Sequence, residues 1–282
     1  METVIRGHRC VYDCVGEGPW LTLLHSVGLS TRQGWRGQIE FLARHFKVLS
    51  FDFRGLGESS RGDGPLGVAT FADDLDALLN GLGVTRTAVM GVSLGGFVAQ
   101  TFALKRPDMV SALVLVSTTN KIFAGHAGRR EARNQKIREQ GMKAAADHQL
   151  VSHFPAEFVA AHPEVMDWYR AHYLANDPDN YIAIMEDLGR FDSTDRLDGI
   201  RCPTLIVAGG ADDSSVAGRQ PLDSAHRLKN LIPDSRLAVI EGAHHYPQID
   251  HADEFNSRVL GFLMPARDSL PRKGGGKEGN EL

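Results

Sequence analysis

One serine of the sequence lies between glycines in a pattern that could support covalent chemistry. The segment Gly91-Val-Ser-Leu-Gly-Gly96 contains the motif G-x-S-x-G, between the apolar run Thr87–Met90 and a predicted helix that begins near Phe97. At a turn from a strand into a helix, this motif presents the serine hydroxyl above the end of the strand. Larger residues at the glycine positions would collide with the neighbouring strand and helix. We therefore predict that Ser93 is a nucleophile.

A nucleophilic serine needs a base that accepts its proton and a carboxylate that fixes the tautomer of that base. In chains with this serine turn, the acid follows the serine and the histidine comes last. The apolar run Thr204–Ala208 is followed by Asp212 and Asp213. We favour Asp212 as the acid and keep Asp213 as the alternative. The loop after the run Ser111–Val116 contains no carboxylate, which supports the later position.

Two adjacent histidines, His244 and His245, follow the last apolar run, Arg236–Ile240. Because neighbouring residues on an extended loop point in different directions, only one of the two can face the serine. We predict that His245 is the base and that His244 is a packed or solvent-facing neighbour. Since a base must be neutral to accept a proton, we expect the activity to decline on acidification.

Attack on a carbonyl places negative charge on its oxygen, which backbone N–H groups can stabilise. Leu94 directly follows the serine near a predicted helix N-terminus, where N–H groups lack partners within the helix. The apolar run Leu21–His25 is followed by Ser26, Val27 and Gly28. We therefore predict an oxyanion hole formed by the N–H groups of Val27 and Leu94.

The elements that would position these residues are typical of an α/β fold. The apolar runs show no polar alternation and are separated by helical stretches, which predicts a mostly parallel sheet with helices on both faces. From Lys121 to about Arg196 no strand pattern appears. We predict an α/β core from residues 1–120 and 197–265, a helical cap of residues 121–196 and a disordered tail of residues 266–282. The stretches of the cap with helical character are Arg129–Ala146, Phe158–Tyr173 and Tyr181–Leu188.

The composition excludes several other classes of protein. The formal net charge of -4 gives no case for a nucleic-acid partner. No apolar run approaches the roughly 20 residues that cross a bilayer, and no signal-peptide stretch opens the chain, so we expect a cytoplasmic protein. The sequence has 3 cysteines and no cysteine–histidine group with zinc-type spacing. We therefore expect neither a metal nor another cofactor.

Neither glycine-rich turn of the first third fits a phosphate-binding motif. The segment Gly91–Gly96 lacks the Gly-Lys-Ser/Thr ending of a P-loop. The second turn, Arg54-Gly-Leu-Gly57, does not fit the dinucleotide fingerprint G-x-G-x-x-G. The serine motif is therefore better explained as a nucleophile turn than as a phosphate cradle.

Taken together, the motifs resemble the α/β-hydrolase superfamily. Within it, the chain most resembles the 3-oxoadipate enol-lactonase-like group, because Ser26 stands where most relatives have glycine and because the helical insertion is short. The resemblance implies the α/β-hydrolase fold, with Ser93, Asp212 and His245 on the triad positions and with Val27 and Leu94 on the oxyanion positions. The motifs that carry it span residues 16–263 in order: His25-Ser-Val-Gly28, Asp52-Phe-Arg-Gly-Leu-Gly-Glu-Ser59, Gly91-Val-Ser-Leu-Gly-Gly96, Gly209-Gly-Ala-Asp212 and Gly242-Ala-His-His245.

The resemblance implies a cofactor-free hydrolase that cleaves a small-molecule ester or lactone through an acyl-enzyme. Ser93 argues against the dehalogenases and epoxide hydrolases of the superfamily, which carry aspartate there. C–C bond hydrolases, perhydrolases and hydroxynitrile lyases share the serine triad, and some ligand receptors retain it without turnover. Enol-lactonases usually have a tryptophan and arginines at the start of the insertion, whereas Lys121–Arg130 contains no tryptophan. The basic run Arg129, Arg130 and Arg133 fits a carboxylate site or, more readily, a solvated helix face.

Overall fold

The computed structural model of the chain describes residues 1–122, 127–214 and 220–268. Its centre is an eight-stranded sheet in the order β1-β2-β4-β3-β5-β6-β7-β8, parallel from β4 to β8. The mostly parallel sheet predicted from the apolar runs is therefore confirmed. The strands are β1 (Glu2–Ile5), β2 (His8–Val15), β3 (Trp20–Leu24), β4 (Lys47–Phe51), β5 (Thr87–Val92), β6 (Val110–Val116), β7 (Thr204–Gly209) and β8 (Ser235–Ile240).

The burial of the strands explains why their sequences show no alternation. Every residue of β5, β6 and β7 is buried, because helices cover both faces of the parallel part of the sheet. At one edge, β1 and β2 form an antiparallel hairpin, and β2 also pairs antiparallel with β4. Arg6 and Gly7 connect the hairpin with positive φ at both positions, which is the backbone of a type I′ turn.

Helices pack on both faces of the sheet, and a further group of helices forms a layer over the carboxyl ends of the parallel strands. This further group lies between β6 and β7 in the chain and includes a short 3-10 helix, Thr194–Gly199. The helices of the core are α1 (Thr31–Gly34), α2 (Arg36–Leu42), α3 (Val68–Gly81), α4 (Leu94–Lys105), α10 (Pro221–Leu231), α11 (Pro247–Asp250) and α12 (Ala252–Asp268). Those between β6 and β7 are α5 (Ala127–Gln140), α6 (Lys143–His153), α7 (Ala156–Ala161), α8 (Pro163–Leu174) and α9 (Pro178–Leu188).

The helical layer agrees with the predicted cap in content but divides its helices differently. The stretch Arg129–Ala146, predicted to have helical character, contains parts of two helices that are separated at Gly141, whose φ of 68° lies in the left-handed region that ends helices. At the base of the layer, an isolated bridge joins Lys121 to Asp192, and the backbone N–H of Ser193 donates to the carbonyl of Asn120. The two ends of the insertion are therefore held together next to the sheet.

Two predicted boundaries differ from the structure. The helix predicted from Phe97 begins at Leu94, because Gly95 and Gly96 pack too closely against the core for side chains and their low helix propensity is overridden. The last helix continues to Asp268, beyond the predicted end of the core at residue 265. The rest of the predicted disordered tail, residues 269–282, lies outside the described residues. No helix in the described part of the chain is long and apolar enough to cross a bilayer.

Candidate active site

The carboxyl ends of the parallel strands bring the predicted residues to one edge of the sheet. Val27 follows β3, Ser93 follows β5, Asp212 follows β7 and His245 follows β8. In open α/β sheets, ligands bind at this edge. The positions that the sequence suggested from separate motifs therefore occupy neighbouring loops.

Ser93 is held in a backbone conformation that non-glycine residues rarely adopt. Its φ of 51° and ψ of -113° lie outside the ordinary regions for a side chain with Cβ. Its N–H donates to the carbonyl of Val116 at 3.0 Å, and its own carbonyl accepts from Thr118 Oγ1 at 3.1 Å and from the N–H of Gly96 at 2.9 Å. These bonds fix the strained residue at the N-terminus of α4, as is common at functional sites.

The glycines around Ser93 leave no room for side chains. A Cβ on Gly91 would overlap the carbonyl of Gly95, and a Cβ on Gly95 would overlap the carbonyl of Leu24. A Cβ on Gly96 would meet the side chain of Thr118 at 2.6 Å. The collisions predicted for larger residues at the glycine positions of the serine motif are therefore found in the structure.

His245 and Asp212 form a buried pair, with Nδ1 of the imidazole 3.0 Å from Oδ2 of the carboxylate. The two alternatives lie elsewhere: Asp213 is exposed, and the N–H of His244 donates to the carboxylate of Asp250. Burial raises the pKa of Asp212, but the adjacent His245 and its hydrogen bond outweigh this effect and hold the pKa below its ordinary value. Asp212 is therefore an ionised partner for the histidine.

Ser214 contacts both members of this pair and was not predicted from the sequence. Its N–H donates to Asp212 Oδ1 at 3.0 Å, and its hydroxyl donates to the same oxygen. The hydroxyl oxygen also lies 3.1 Å from Nδ1 of His245. An aspartate followed two residues later by serine is a turn signal that could have indicated the first contact, because Asp side chains accept from the N–H two residues on.

His153, at the end of α6, packs directly on His245. The two imidazole rings are stacked with centroids 4.3 Å apart and an interplanar angle of 24°. The backbone N–H of His245 donates to the carbonyl of His153 at 3.2 Å, and Nδ1 of His153 lies 3.0 Å from the hydroxyl of Tyr169. Burial, with the neighbouring His245, holds the pKa of His153 well below its ordinary value. The insertion thus places a neutral ring against the predicted base.

The loop that carries Val27 is fixed by His25. Nε2 of His25 accepts from the N–H of Phe53 at 2.9 Å, so that the proton lies on Nδ1, which donates to the carbonyl of Ser26 at 2.7 Å. The hydroxyl of Tyr246 donates to Oγ of Ser26 at 3.0 Å. The loop is therefore anchored at Ser26, directly before the predicted oxyanion donor.

Ser93, His245 and Val27 line one cavity, which contains about 640 Å³ of empty space including its open mouth. Leu94 begins α4 beside it, where the first N–H groups of a helix have no acceptor within the helix. Among the described residues, no hydrogen bond joins the Ser93 hydroxyl to His245. Ser93 and His245 therefore line the same cavity without a hydrogen bond between their side chains.

The basic run at the start of the insertion does not form a fully solvated helix face. Arg130 and Arg133 are half-buried, and Arg133 donates to Asn134 Oδ1 at 3.1 Å. Neither arginine is among the described residues that line the cavity. The side chain of Arg129 lies outside the described part of the chain.

Comparison with known proteins identifies the family of the chain. The family model of the α/β-hydrolase fold matches residues 19–252. The chain is 31% identical to a protein of Agrobacterium fabrum provisionally named carbamate hydrolase RutD, over 89% of this chain and 95% of that protein. It is 28% identical to 3-oxoadipate enol-lactonase 2 of Acinetobacter baylyi, over 88% and 90% of the two chains.

Among solved structures, the enol-lactonase of Burkholderia xenovorans superposes with a TM-score of 0.86 at 27% identity, over 93% of this chain and 99% of that one. A thermophilic esterase of Thermogutta terrifontis has the same TM-score at 28% identity, over 95% and 99%. The resemblance to enol-lactonases found in the sequence is therefore confirmed. With the family model covering most of its length, the chain belongs to the α/β-hydrolase family of enzymes.

Proposed function

We propose that this hydrolase cleaves a carboxylic ester or lactone through an acyl-enzyme, with Ser93 as nucleophile, His245 as base and Asp212 as acid. The observation that carries the proposal is the contact of His245 Nδ1 with Asp212, because His245 lines the same cavity as Ser93. When Nδ1–H donates to the carboxylate, Nε2 keeps the lone pair that can accept a proton. The relatives named as enol-lactonase and esterase cleave bonds of the same chemical type, which supports the substrate class.

The first half of the reaction forms the acyl-enzyme. His245 Nε2 takes the proton of the Ser93 hydroxyl as its oxygen attacks the substrate carbonyl, and the carbonyl π electrons move to oxygen. The N–H groups of Val27 and Leu94 donate to that oxyanion. When the intermediate collapses, the C–O bond to the leaving group breaks, and His245 gives its proton to the departing oxygen.

The second half releases the acid. His245 takes a proton from water as the water attacks the acyl carbon, and the same N–H groups hold the second oxyanion. Collapse returns the proton to Ser93 and frees the carboxylic acid. Catalytic hydrogen bonds commonly tighten only in the substrate complex, so the serine–histidine bond belongs to the loaded enzyme.

The proposal is tested by hydrolysis of a short p-nitrophenyl ester and of a set of lactones. We expect Ser93→Ala to lower kcat by at least about 10³-fold, because the nucleophile is lost while the cavity remains. Ser257→Ala, an exposed serine of α12, is the matched control and should keep the wild-type rate. Equal rates for Ser93→Ala and wild type would overturn the assignment of the nucleophile.

A further inference from the structure

The wall of the cavity formed by the helical insertion carries polar atoms that have no partner. Oε1 of Gln149, Nε2 of His153 and the hydroxyl of Tyr173 have no partner with good hydrogen-bond distance and angle among the described residues. The three side chains line the cavity, and their relative exposures are 5%, 3% and 0%. A buried polar group left unpaired costs about 1–3 kcal/mol. Such a wall is therefore suited to a ligand that supplies the missing partners.

Two of these side chains are held on one face of α6. Gln149 and His153 are four residues apart, and this spacing puts helical side chains next to each other. The ring of His153 cannot turn freely, because it is stacked on His245 and bonded to Tyr169. Its unpartnered Nε2 is therefore a fixed polar atom beside the proposed base. Tyr173, on α8, completes the set.

The part of the lining that comes from the α/β core adds groups of the same kind. Oγ of Ser117, Oγ1 of Thr119 and Oγ of Ser224 line the cavity and are buried without a partner among the described residues. All six groups are uncharged, since the buried His153 stays neutral. No lysine, arginine, aspartate or glutamate is among the described residues of the lining.

This lining disfavours two kinds of acyl group. A carboxylate would be buried without a cationic partner from the described lining, which is costly for an isolated charge. A purely apolar acyl group would displace water from the polar atoms and leave them unpaired. An uncharged acyl group that donates and accepts hydrogen bonds avoids both penalties.

We propose that Gln149, His153 and Tyr173 bind the acyl part of the substrate and select acyl groups that carry an uncharged polar function, such as an amide or a hydroxyl. This inference rests on the proposed function, because it assigns the cavity beside Ser93 to the acyl group. It distinguishes this chain from an enzyme that selects an anionic or a hydrocarbon acyl group.

The test compares three ethyl esters whose acyl chains have nearly the same shape. Ethyl succinamate ends in a primary amide, ethyl 4-methylpentanoate in an isopropyl group and monoethyl succinate in a carboxylate. Their binding to the Ser93→Ala protein is measured by calorimetry, so that the esters stay intact. We expect the amide to bind at least about 10-fold more tightly than the other two, which corresponds to about 1.4 kcal/mol.

A second variant locates the preference. In the Ser93→Ala background, Gln149→Met replaces the amide by an apolar chain of similar length, and we expect the advantage of the succinamate to fall about 5-fold, as the loss of one hydrogen bond predicts. Gln140→Met, an exposed glutamine at the end of α5, is the matched control and should keep the full advantage.

Three results would overturn the inference: equal or tighter binding of the isopropyl ester, tightest binding of the carboxylate, or no binding of any ester. Failure of the proposed function gives a different result. In that case the wild-type enzyme would hydrolyse none of the three esters, although the Ser93→Ala protein still preferred the amide.

Discussion

The hydroxyl of Tyr246 donates a hydrogen bond of 3.0 Å to Oγ of Ser26, a residue 220 positions earlier in the chain. Tyr246 directly follows the proposed base His245, and Ser26 directly precedes the proposed oxyanion donor Val27. Both side chains of the bond are buried. This single bond therefore joins the loop of the proposed base to the loop of the proposed oxyanion donor.

We expect Tyr246→Phe and Ser26→Ala each to lower kcat about 3–10-fold, because either change removes this bond, which is worth roughly 0.5–1.5 kcal/mol. The double variant should lose little more than either single variant, since the bond is already absent. A double-mutant cycle on kcat checks this. Losses that simply add would show that the two side chains act independently.

The two adjacent histidines should differ strongly in their effect on activity. Removal of a general base costs about 10²–10⁴-fold, so we expect a loss of this size for His245→Ala. His244→Ala should stay within a few fold of the wild type, because His244 is not among the described residues of the cavity. The ester assay on both purified variants makes the comparison. A larger loss at 244 would reverse the assignment.

Ser214→Ala tests whether the serine positions the Asp212 carboxylate. Two hydrogen bonds from Ser214 help to hold the pKa of Asp212 below its ordinary value, and the variant loses the one from the hydroxyl. We expect kcat to fall about 10-fold at neutral pH, with little change in KM, since hydrogen bonds to charged groups are worth about 1.5–3 kcal/mol. The pKa of Asp212 then rises, so the loss should grow as the pH falls. A loss that is independent of pH would mean that Ser214 only packs against the pair.

His153 should make the folded protein less stable in acid. Burial and the neighbouring His245 hold its folded pKa well below 6.5, whereas the unfolded chain binds a proton near that value. The free energy of unfolding therefore falls as the pH drops below about 6.5, by up to about 1.4 kcal/mol per pH unit, until the folded pKa is reached. Urea unfolding at pH 7.5 and 5.0 should show a smaller decrease for His153→Phe than for the wild type. An equal decrease in both would falsify this contribution.

The sequence was sufficient for the features that depend on local pattern. The turn at Ser93 is recognisable because its packing admits no side chain at positions 91 and 95, and the sequence has glycine at both. The buried parallel strands are recognisable because they are apolar without alternation. The chain order and the strand ends limited the acid to Asp212 or Asp213 and the base to His244 or His245, but they do not decide within either pair of neighbours.

The features that were missed depend on contacts between distant segments. The stacking of His153 on His245 joins the insertion to the loop after β8, and nothing in either segment indicates it. The bond of Tyr246 to Ser26 likewise requires both loops to be in place. The start of α4 at Leu94 was missed because glycine has a low helix propensity, whereas the close packing against the core requires glycine at positions 95 and 96.

The most direct test of the proposed triad is the rate of covalent labelling by a fluorophosphonate, followed by mass spectrometry of the peptides. We predict one adduct, on Ser93, and labelling at least about 100-fold slower in His245→Ala, because the base no longer accepts the serine proton. Labelling of another residue, or an unchanged rate in His245→Ala, would contradict the convergence of serine and histidine on which the mechanism depends.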